Sequence, residues 1–394
     1  MATSIFRENF PAVTALQQAA DTAAFIIGLD LHKKTTAICV VDSHNPNIPV
    51  FQRKRLPNNE LLVAICRFPG KKLIACEAAY GWFLLRDALA DVPDVTFVPL
   101  DARKTSSWIA SSGIKNDAID AQVLCHVCLH GGIRSLAVHQ PSHSARECYK
   151  LLKHREHLVR HRTKIKNQLQ AFNRDYGPNP FTGVIPEKSV LASSMEADLL
   201  HALDVSSHRI DHAEKLMVEM SRNDPTVTLL QTIPGIGPIT SFALRHKIDT
   251  IERFKDPAHL CAYFGFGVRE RQSGDSVVKG KIAKTGDPLV RKLLIQGAQI
   301  VRSRCPECIP LFFPTLGQAS LMKERKHANK VVTALARKNL TFVYFVWKNQ
   351  REFDLEKYRE RRLQSAISTA GAINTSLPVC PSSSAADLVS VLVR

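Results

Sequence analysis

Hydrophobic and polar positions change period several times along this chain, and each change marks an expected element. From Phe25 an apolar run, Phe25-Ile26-Ile27-Gly28-Leu29, ends in Asp30. After a short polar turn, Thr35–Val41 is rich in β-branched residues, so the two segments read as a hairpin of strands. A third strand is expected near Pro49–Arg55 and a helix across Asn59–Arg67. Lys72–Cys76 is another short apolar run, followed by Glu77 and a helical stretch reaching Ala90. Val95–Pro99 reads as a further strand, and Asp117–Leu129 as a helix opened by acidic residues. Strands interleaved with helices in this order predict an α/β domain with a mixed sheet.

The pattern then becomes helical. Leu151, Leu152, Leu158, Ile165 and Leu169 recur at helical spacing, and Lys150, Lys153, Arg155, Arg160, Arg162, Lys164 and Lys166 lie between them. This is a long basic amphipathic helix over 145–175. Pro178, Pro180 and Pro186 break it before a second helix at about 195–222, and the pair reads as a helical hairpin. From Val227 to about Lys348 the pattern is mostly helical, with glycine-rich turns at Pro234–Pro238 and Gly265–Gly286. The expected organisation is a leader (1–24), an α/β domain (25–140), a basic helical hairpin that serves as linker and candidate oligomerisation element (141–225), a helical domain (226–350) and a Ser/Ala-rich, partly disordered tail (351–394).

Charge narrows the class of partner. Lys and Arg total 53 against 36 Asp and Glu, a formal net charge of +17. An excess of that size favours a polyanion, because clustered cations release counterions from phosphates. A solvated basic surface is the plainer alternative. The apolar runs are too short to span a bilayer, and no signal peptide is evident, which points to a cytoplasmic, nucleoid-associated protein. The ten cysteines are scattered, as expected of reduced thiols. Cys125-x-x-Cys128 and Cys305-x-x-Cys308 mimic a zinc ribbon, but the gap between the pairs is far too long. The first pair lies on an expected helix, where such cysteines pack as small apolar residues.

Two groups of residues carry candidate chemistry. Asp30, Glu77, Asp117 and Asp120 each end or open a regular element, where α/β active sites are commonly built. Carboxylates brought together need a divalent cation, and hard oxygen donors suit Mg2+ or Mn2+. Asp117 and Asp120 would equally serve a helix dipole, whereas burying Asp30 without a partner would be costly. The second group lies in the helical region. Pro234-Gly235-Ile236-Gly237-Pro238 has the form of a helix-hairpin-helix turn, able to hold a phosphate on backbone N–H groups or simply to turn an αα corner. Further on, Ser273-Gly274 is flanked by Arg269, Arg271, Lys279, Lys281 and Lys284, with Arg291 downstream. Those cations could hold a phosphate against the serine hydroxyl, although a serine beside glycine is most often a turn residue.

These motifs resemble one family. Gly28-Leu29-Asp30, Cys76-Glu77-Ala78-Ala79-Tyr80-Gly81 and Lys115-Asn116-Asp117-Ala118-Ile119-Asp120-Ala121 look like the DEDD motifs of the one-ten family of insertion-sequence transposases, also called bridge-RNA-guided recombinases. Leu229–Ala298, with its Pro-Gly-Ile-Gly turn, its Ser-Gly and its Gly-x-Ile-x-Lys-x-Gly run, resembles the family's C-terminal domain. The family often has a proline where Val268 stands, a departure that touches turn geometry more than chemistry. The resemblance implies a RuvC-like RNase H fold, Mg2+ on the four acids, and Ser273 as the nucleophile of a covalent phosphoserine intermediate, Ser276 being the weaker match. It also implies donor and target DNA, a structured guide RNA and a dimer or tetramer whose carboxylates and serine meet across protomers. Two readings compete: a RuvC-like structure-specific nuclease that uses water instead of Ser273, and a non-catalytic DNA-binding protein that needs only the hairpin turn and the basic helix and leaves the four acids unexplained; the nuclease is the stronger.

Overall fold

The computed structural model describes residues 11–110, 116–185, 187–273, 276–305, 325–360 and 364. A helix, α1 (Pro11–Thr22), precedes the first strand, in the stretch where the sequence shows only weak patterning. Five strands follow: β1 (Phe25–Leu31), β2 (Thr35–Asp42), β3 (Asn45–Pro57), β4 (Lys72–Glu77) and β5 (Val95–Leu100). They form one sheet in the order β3-β2-β1-β4-β5. The hairpin partners β1, β2 and β3 run antiparallel, while β4 and β5 join β1 in parallel. A mixed sheet of this kind with helices on both faces is an RNase H-like α/β domain.

Strand alternation divides the core in two. One face turns Ile26, Cys39, Val41, Leu73, Ala75 and Val98 toward Ala121, Leu124, Cys125 and Cys128 of α5 (Asp117–Leu129). The other sets Ile27, Leu29, Ile38, Val40 and Ile74 against α2 (Leu61–Cys66) and α3 (Trp82–Leu89). Strand β3 is longer than its sequence suggests and mostly exposed. It carries Pro46, Pro49 and Arg53-Lys54-Arg55 along the sheet edge, where missing donors are tolerated and charges discourage further pairing.

Both cysteines of the first C-x-x-C pair are fully buried in α5, and burial pushes the Cys128 thiol up to about 12. Cys305, at the C-cap of α12 (Pro288–Arg304), is disulfide-bonded, so the expectation of reduced thiols does not hold there.

The chain divides into two compact units. One holds the described residues up to Met220 together with Phe242–Gly286, and the other holds Ser221–Ser241 and those from Asp287 onward. Beyond the sheet the first unit contains α4 (Ala102–Ala110), α6 (Ile133–Leu136) and two long helices, α7 (His143–Tyr176) and α8 (Val190–Ser221). Arg155 of α7 donates to Glu214 of α8, and the His161 ring lies 3.2 Å from the Ser206 hydroxyl, so the two helices meet side by side. After α9 (Pro225–Gln231) and α10 (Pro238–Ile248), α11 (Pro257–Tyr263) leads into a second small sheet, β6 (Val268–Ser273) paired antiparallel with β7 (Ser276–Ile282).

That hairpin corrects the sequence reading of Gly265–Gly286 as a turn within a helical region. Neither strand, Val268–Ser273 or Ser276–Ile282, alternates apolar with polar residues, so the pairing is not displayed by the sequence beside the helical segments around it. In the second unit, α12 and α13 (Arg325–Asn349) pack together with α9.

Candidate active site

The sheet register sets the first two acids side by side. Strands β1 and β4 are parallel, with Leu29 paired to Cys76, so Asp30 and Glu77 are the next residues along neighbouring strands. Helix α5 supplies the other two. Its N-cap is Asn116, whose side chain accepts from the Ala118 N–H at 3.2 Å, making Asp117 the first helical residue and Asp120 part of the first turn. The helix can lie this close to β1 because position 28 is glycine. A Cβ there would stand 1.9 Å from the Ala121 carbonyl oxygen and 3.0 Å from the Cys125 sulfur. The smallest side chain in the strand thus delivers the helix start to the strand end.

Electrostatics show that the four carboxylates share one neighbourhood. Burial holds the Asp30 carboxyl above its ordinary value, against a lowering by His32. Asp117, Asp120 and Glu77 raise it further by like-charge repulsion. Asp30 is the most enclosed of the mapped ligand atoms, its side chain 24% exposed against 49% for Asp117. Glu77 is anchored from the side by the fully buried Thr105 of α4, whose hydroxyl donates to its Oε1.

Two residues that the sequence reading passed over therefore belong to the site, His32 and Thr105. His32 Nε2 lies 3.5 Å from Asp30 Oδ2 and 3.4 Å from Asp117 Oδ2. Its signal was present in the sequence, since Asp30 and His32 are two apart and so share a strand face. Thr105 gives no such signal, because its role depends on how α4 folds back on the end of β4. Ligand atoms of Asp30, His32 and Asp117 all fall within 4.8 Å of one another. Two carboxylates and an imidazole at that spacing, with two further acids beside them, fit a divalent cation.

The other candidates are spread more widely. Ser273 ends β6 and pairs with Ser276 across the hairpin. Its side chain, with those of Arg269, Arg271 and Lys279, lies outside the described residues. Lys281, within β7, and Lys284, just beyond it, are exposed, Lys284 in a left-handed conformation (φ 54°) before the tight turn at Gly286. Arg291 is partly buried in the first turns of α12.

On α7, Lys153, Lys164 and Lys166 are exposed and Arg162 is partly so. Arg155 and Arg160 are engaged by Glu214 and Glu156.

In the Pro-Gly-Ile-Gly turn, Gly235 has φ 82° and sits against Gly297 of α12, where a Cβ on either glycine would strike the other's carbonyl. Gly235 is thus held by packing within its own unit, while Gly237 is exposed and open.

Comparison with known proteins gives concordant matches. Residues 27–178 match a DEDD transposase model of the IS110 group, and residues 227–313 match one described as the transposase IS116/IS110/IS902 family. The chain is 23% identical to the transposase for insertion sequence element IS1111A of Coxiella burnetii, over 83% of this chain and 91% of that protein. It is 25% identical to the transposase for insertion sequence element IS1328 of Yersinia enterocolitica, over 79% and 93%. A pilin gene-inverting protein of Moraxella lacunata is 26% identical over 83% of this chain and 97% of its own length.

Proposed function

The chain belongs to the IS110 family of insertion-sequence transposases, and we propose that it cleaves and rejoins DNA with Asp30, Glu77, Asp117 and Asp120 as a divalent-cation site and Ser273 as nucleophile. The observation that carries this reading is geometric: ligand atoms of Asp30 and Asp117 lie with that of His32 within 4.8 Å of one another, Glu77 follows on the strand parallel to that of Asp30, and Asp120 shares the first turn of α5 with Asp117, so like charges are brought close. Such repulsion is costly unless a cation or a proton offsets it. Mg2+ is the expected ion and Mn2+ an acceptable one; when bound it lowers the cost of ionising an attacking hydroxyl and draws charge from the scissile phosphate.

The protein's own groups have distinct tasks. Ser273 Oγ attacks phosphorus, its proton leaves, and the new P–O bond forms as the bond to the departing deoxyribose oxygen breaks. That oxygen leaves as a free hydroxyl after taking a proton. The phosphodiester is conserved as a serine ester, so attack by another strand's hydroxyl reseals DNA without ATP. Arg269, Arg271, Lys279, Lys281 and Lys284 sit along or beside the hairpin whose first strand ends in Ser273, in position by sequence to balance charge on the transferring phosphoryl group. Gly235, Gly237, Arg291 and the α7 residues Lys153, Arg162, Lys164 and Lys166 make up the remaining proposed nucleic-acid surface, with exposed Gly237 the better placed of the two glycines to offer a backbone N–H; Arg155 and Arg160 of the same stripe are taken up by Glu214 and Glu156.

Selection of sites by a structured guide RNA fits a basic protein without an evident base-reading module. Oligomerisation is supported by apolar side chains left in solvent around the junction of α7 and α8. Phe181 is 95% exposed and Val190 89%. Carboxylates of one protomer acting with the serine of another are part of this proposal. Among the described residues no helix is long and apolar enough to cross a membrane.

Adduct trapping tests the reading. With Mg2+, substrate DNA and RNA transcribed from the flanking element, wild type is expected to yield a protease-sensitive protein–DNA species, and both Ser273→Ala and Asp30→Asn to lose it. Cleavage that persists in Ser273→Ala without any adduct would instead identify a hydrolytic nuclease.

A further inference from the structure

His32 occupies a position that the four acids do not explain. It follows the end of β1 on the same face as Asp30, and its Nε2 stands between Asp30 Oδ2 at 3.5 Å and Asp117 Oδ2 at 3.4 Å. The backbone around it is fixed rather than loose. The His32 N–H donates to Thr35 O at 3.0 Å, and Asn58 Nδ2 donates to the His32 carbonyl at 3.1 Å. Asn58 is itself held, accepting from the Thr36 hydroxyl at 2.8 Å and donating its own N–H to Lys34 O at 3.1 Å. A residue just past the end of β3 thus clamps the turn that aims the imidazole.

The separations discriminate between two roles. Good N–H···O hydrogen bonds lie at about 2.7–3.2 Å, shorter than either contact. Two donors bound at about 2.1 Å and roughly 90–110° apart on one cation lie about 3.0–3.4 Å from each other, close to what is found. The imidazole is therefore spaced as a neighbouring ligand rather than as a hydrogen-bonding partner.

We infer that His32 is itself a ligand of the cation held by Asp30 and Asp117, and that it shifts the site toward Mn2+ and similar borderline cations relative to Mg2+. This rests on the carboxylate site proposed above and adds a nitrogen donor to it. Nitrogen donors favour first-row transition ions, whereas Mg2+ prefers oxygen, so the imidazole discriminates between ions that the carboxylates alone would treat alike. The neutral ring binds through Nε2 and keeps Nδ1–H for solvent or protein.

Pulsed electron paramagnetic resonance on the full-length protein loaded with Mn2+ reads the contact directly. The bound ion in wild type is expected to show 14N modulation from one imidazole, changed to the 15N pattern when histidine alone is 15N-labelled. His32→Gln is expected to abolish the modulation and weaken Mn2+ binding at least about tenfold, the low end of what even an outer partner's loss costs a metal site. Mg2+ competition for the same site should change much less. The labelled wild type gives the answer even if the variant folds poorly.

Mn2+ that binds in an Asp30-dependent way without nitrogen modulation would overturn the role of His32 and leave the carboxylate site standing. Mn2+ binding that is absent, or indifferent to Asp30→Asn, would sink the site and this inference together.

Discussion

Asp249 accepts three contacts from a backbone conformation that few side chains tolerate. Its φ is 64°, and its carboxylate meets His139 Nε2 at 3.2 Å, the Ser142 N–H at 3.0 Å and the Ser142 hydroxyl at 3.0 Å. Ser142 is also the N-cap of α7, accepting from the Ala145 N–H, so one aspartate secures the start of a 34-residue helix. The His139 hydrogen bond holds the Asp249 carboxyl well below the usual carboxylate range; burial works the other way, and the two Ser142 donors lower it further. A depressed native value means stability that is present above the unfolded pKa of about 3.9 and is lost as pH falls toward the folded one. Asparagine accepts the left-handed backbone, so Asp249→Asn removes charge while leaving the turn. It is expected to cost about 1.5–3 kcal/mol near neutral pH, the range for hydrogen bonds to charged groups. Urea unfolding at a series of pH values checks this. The gap from wild type should narrow below about pH 4, and a gap independent of pH would mean that the charge contributes nothing. Nothing in the local sequence announces this contact, because its partners are more than 100 residues apart.

At the scale of elements, legibility followed the range of the interactions. Strands β1, β2, β4 and β5 and helix α5 were readable because each carries its own period, and Asp30, Glu77, Asp117 and Asp120 could be singled out because they sit where those periods end. The β6–β7 hairpin was not read, since two short strands of mixed polarity look like loop beside strong helices. What a single sequence does not display is approach between elements, and Gly28 is the clearest instance here. In sequence it is merely a glycine that weakens a strand. In the fold it is the point where α5 rests on β1. Gly28→Ala places a methyl 1.9 Å from the Ala121 carbonyl oxygen, which only a shift of α5 relieves. Overpacking of this kind costs about 1–3 kcal/mol or more. Since the same helix carries Asp117 and Asp120, the variant is expected to lose Mn2+ affinity as well as thermal stability. Gly237→Ala, whose Cβ would meet nothing within 4 Å, serves as the control and should change neither. Loss of stability with undiminished Mn2+ binding would show that the acids do not depend on this packing.

For the molecule as a whole, a net charge of +17 favours a polyanionic partner. Arg155 and Arg160 of α7 are engaged by Glu214 and Glu156, whereas Lys153, Lys164 and Lys166 stand exposed along the same helix. A basic stripe read from sequence is thus two populations, one engaged by carboxylates across the α7–α8 contact (Arg155) or along α7 itself (Arg160), and one exposed to a polyanion. Binding to duplex DNA measured against salt separates them. Each phosphate contact contributes a slope of about 0.9 in log K against log salt, so replacing all three lysines by glutamine should flatten the slope by up to about 2.7. Arg155→Gln should leave the slope nearly unchanged while lowering the unfolding midpoint, because it takes a donor from Glu214 across the α7–α8 contact. If the triple variant kept the full slope, α7 would not touch phosphate, and the basic residues around the β6–β7 hairpin would have to account for the protein's affinity for DNA.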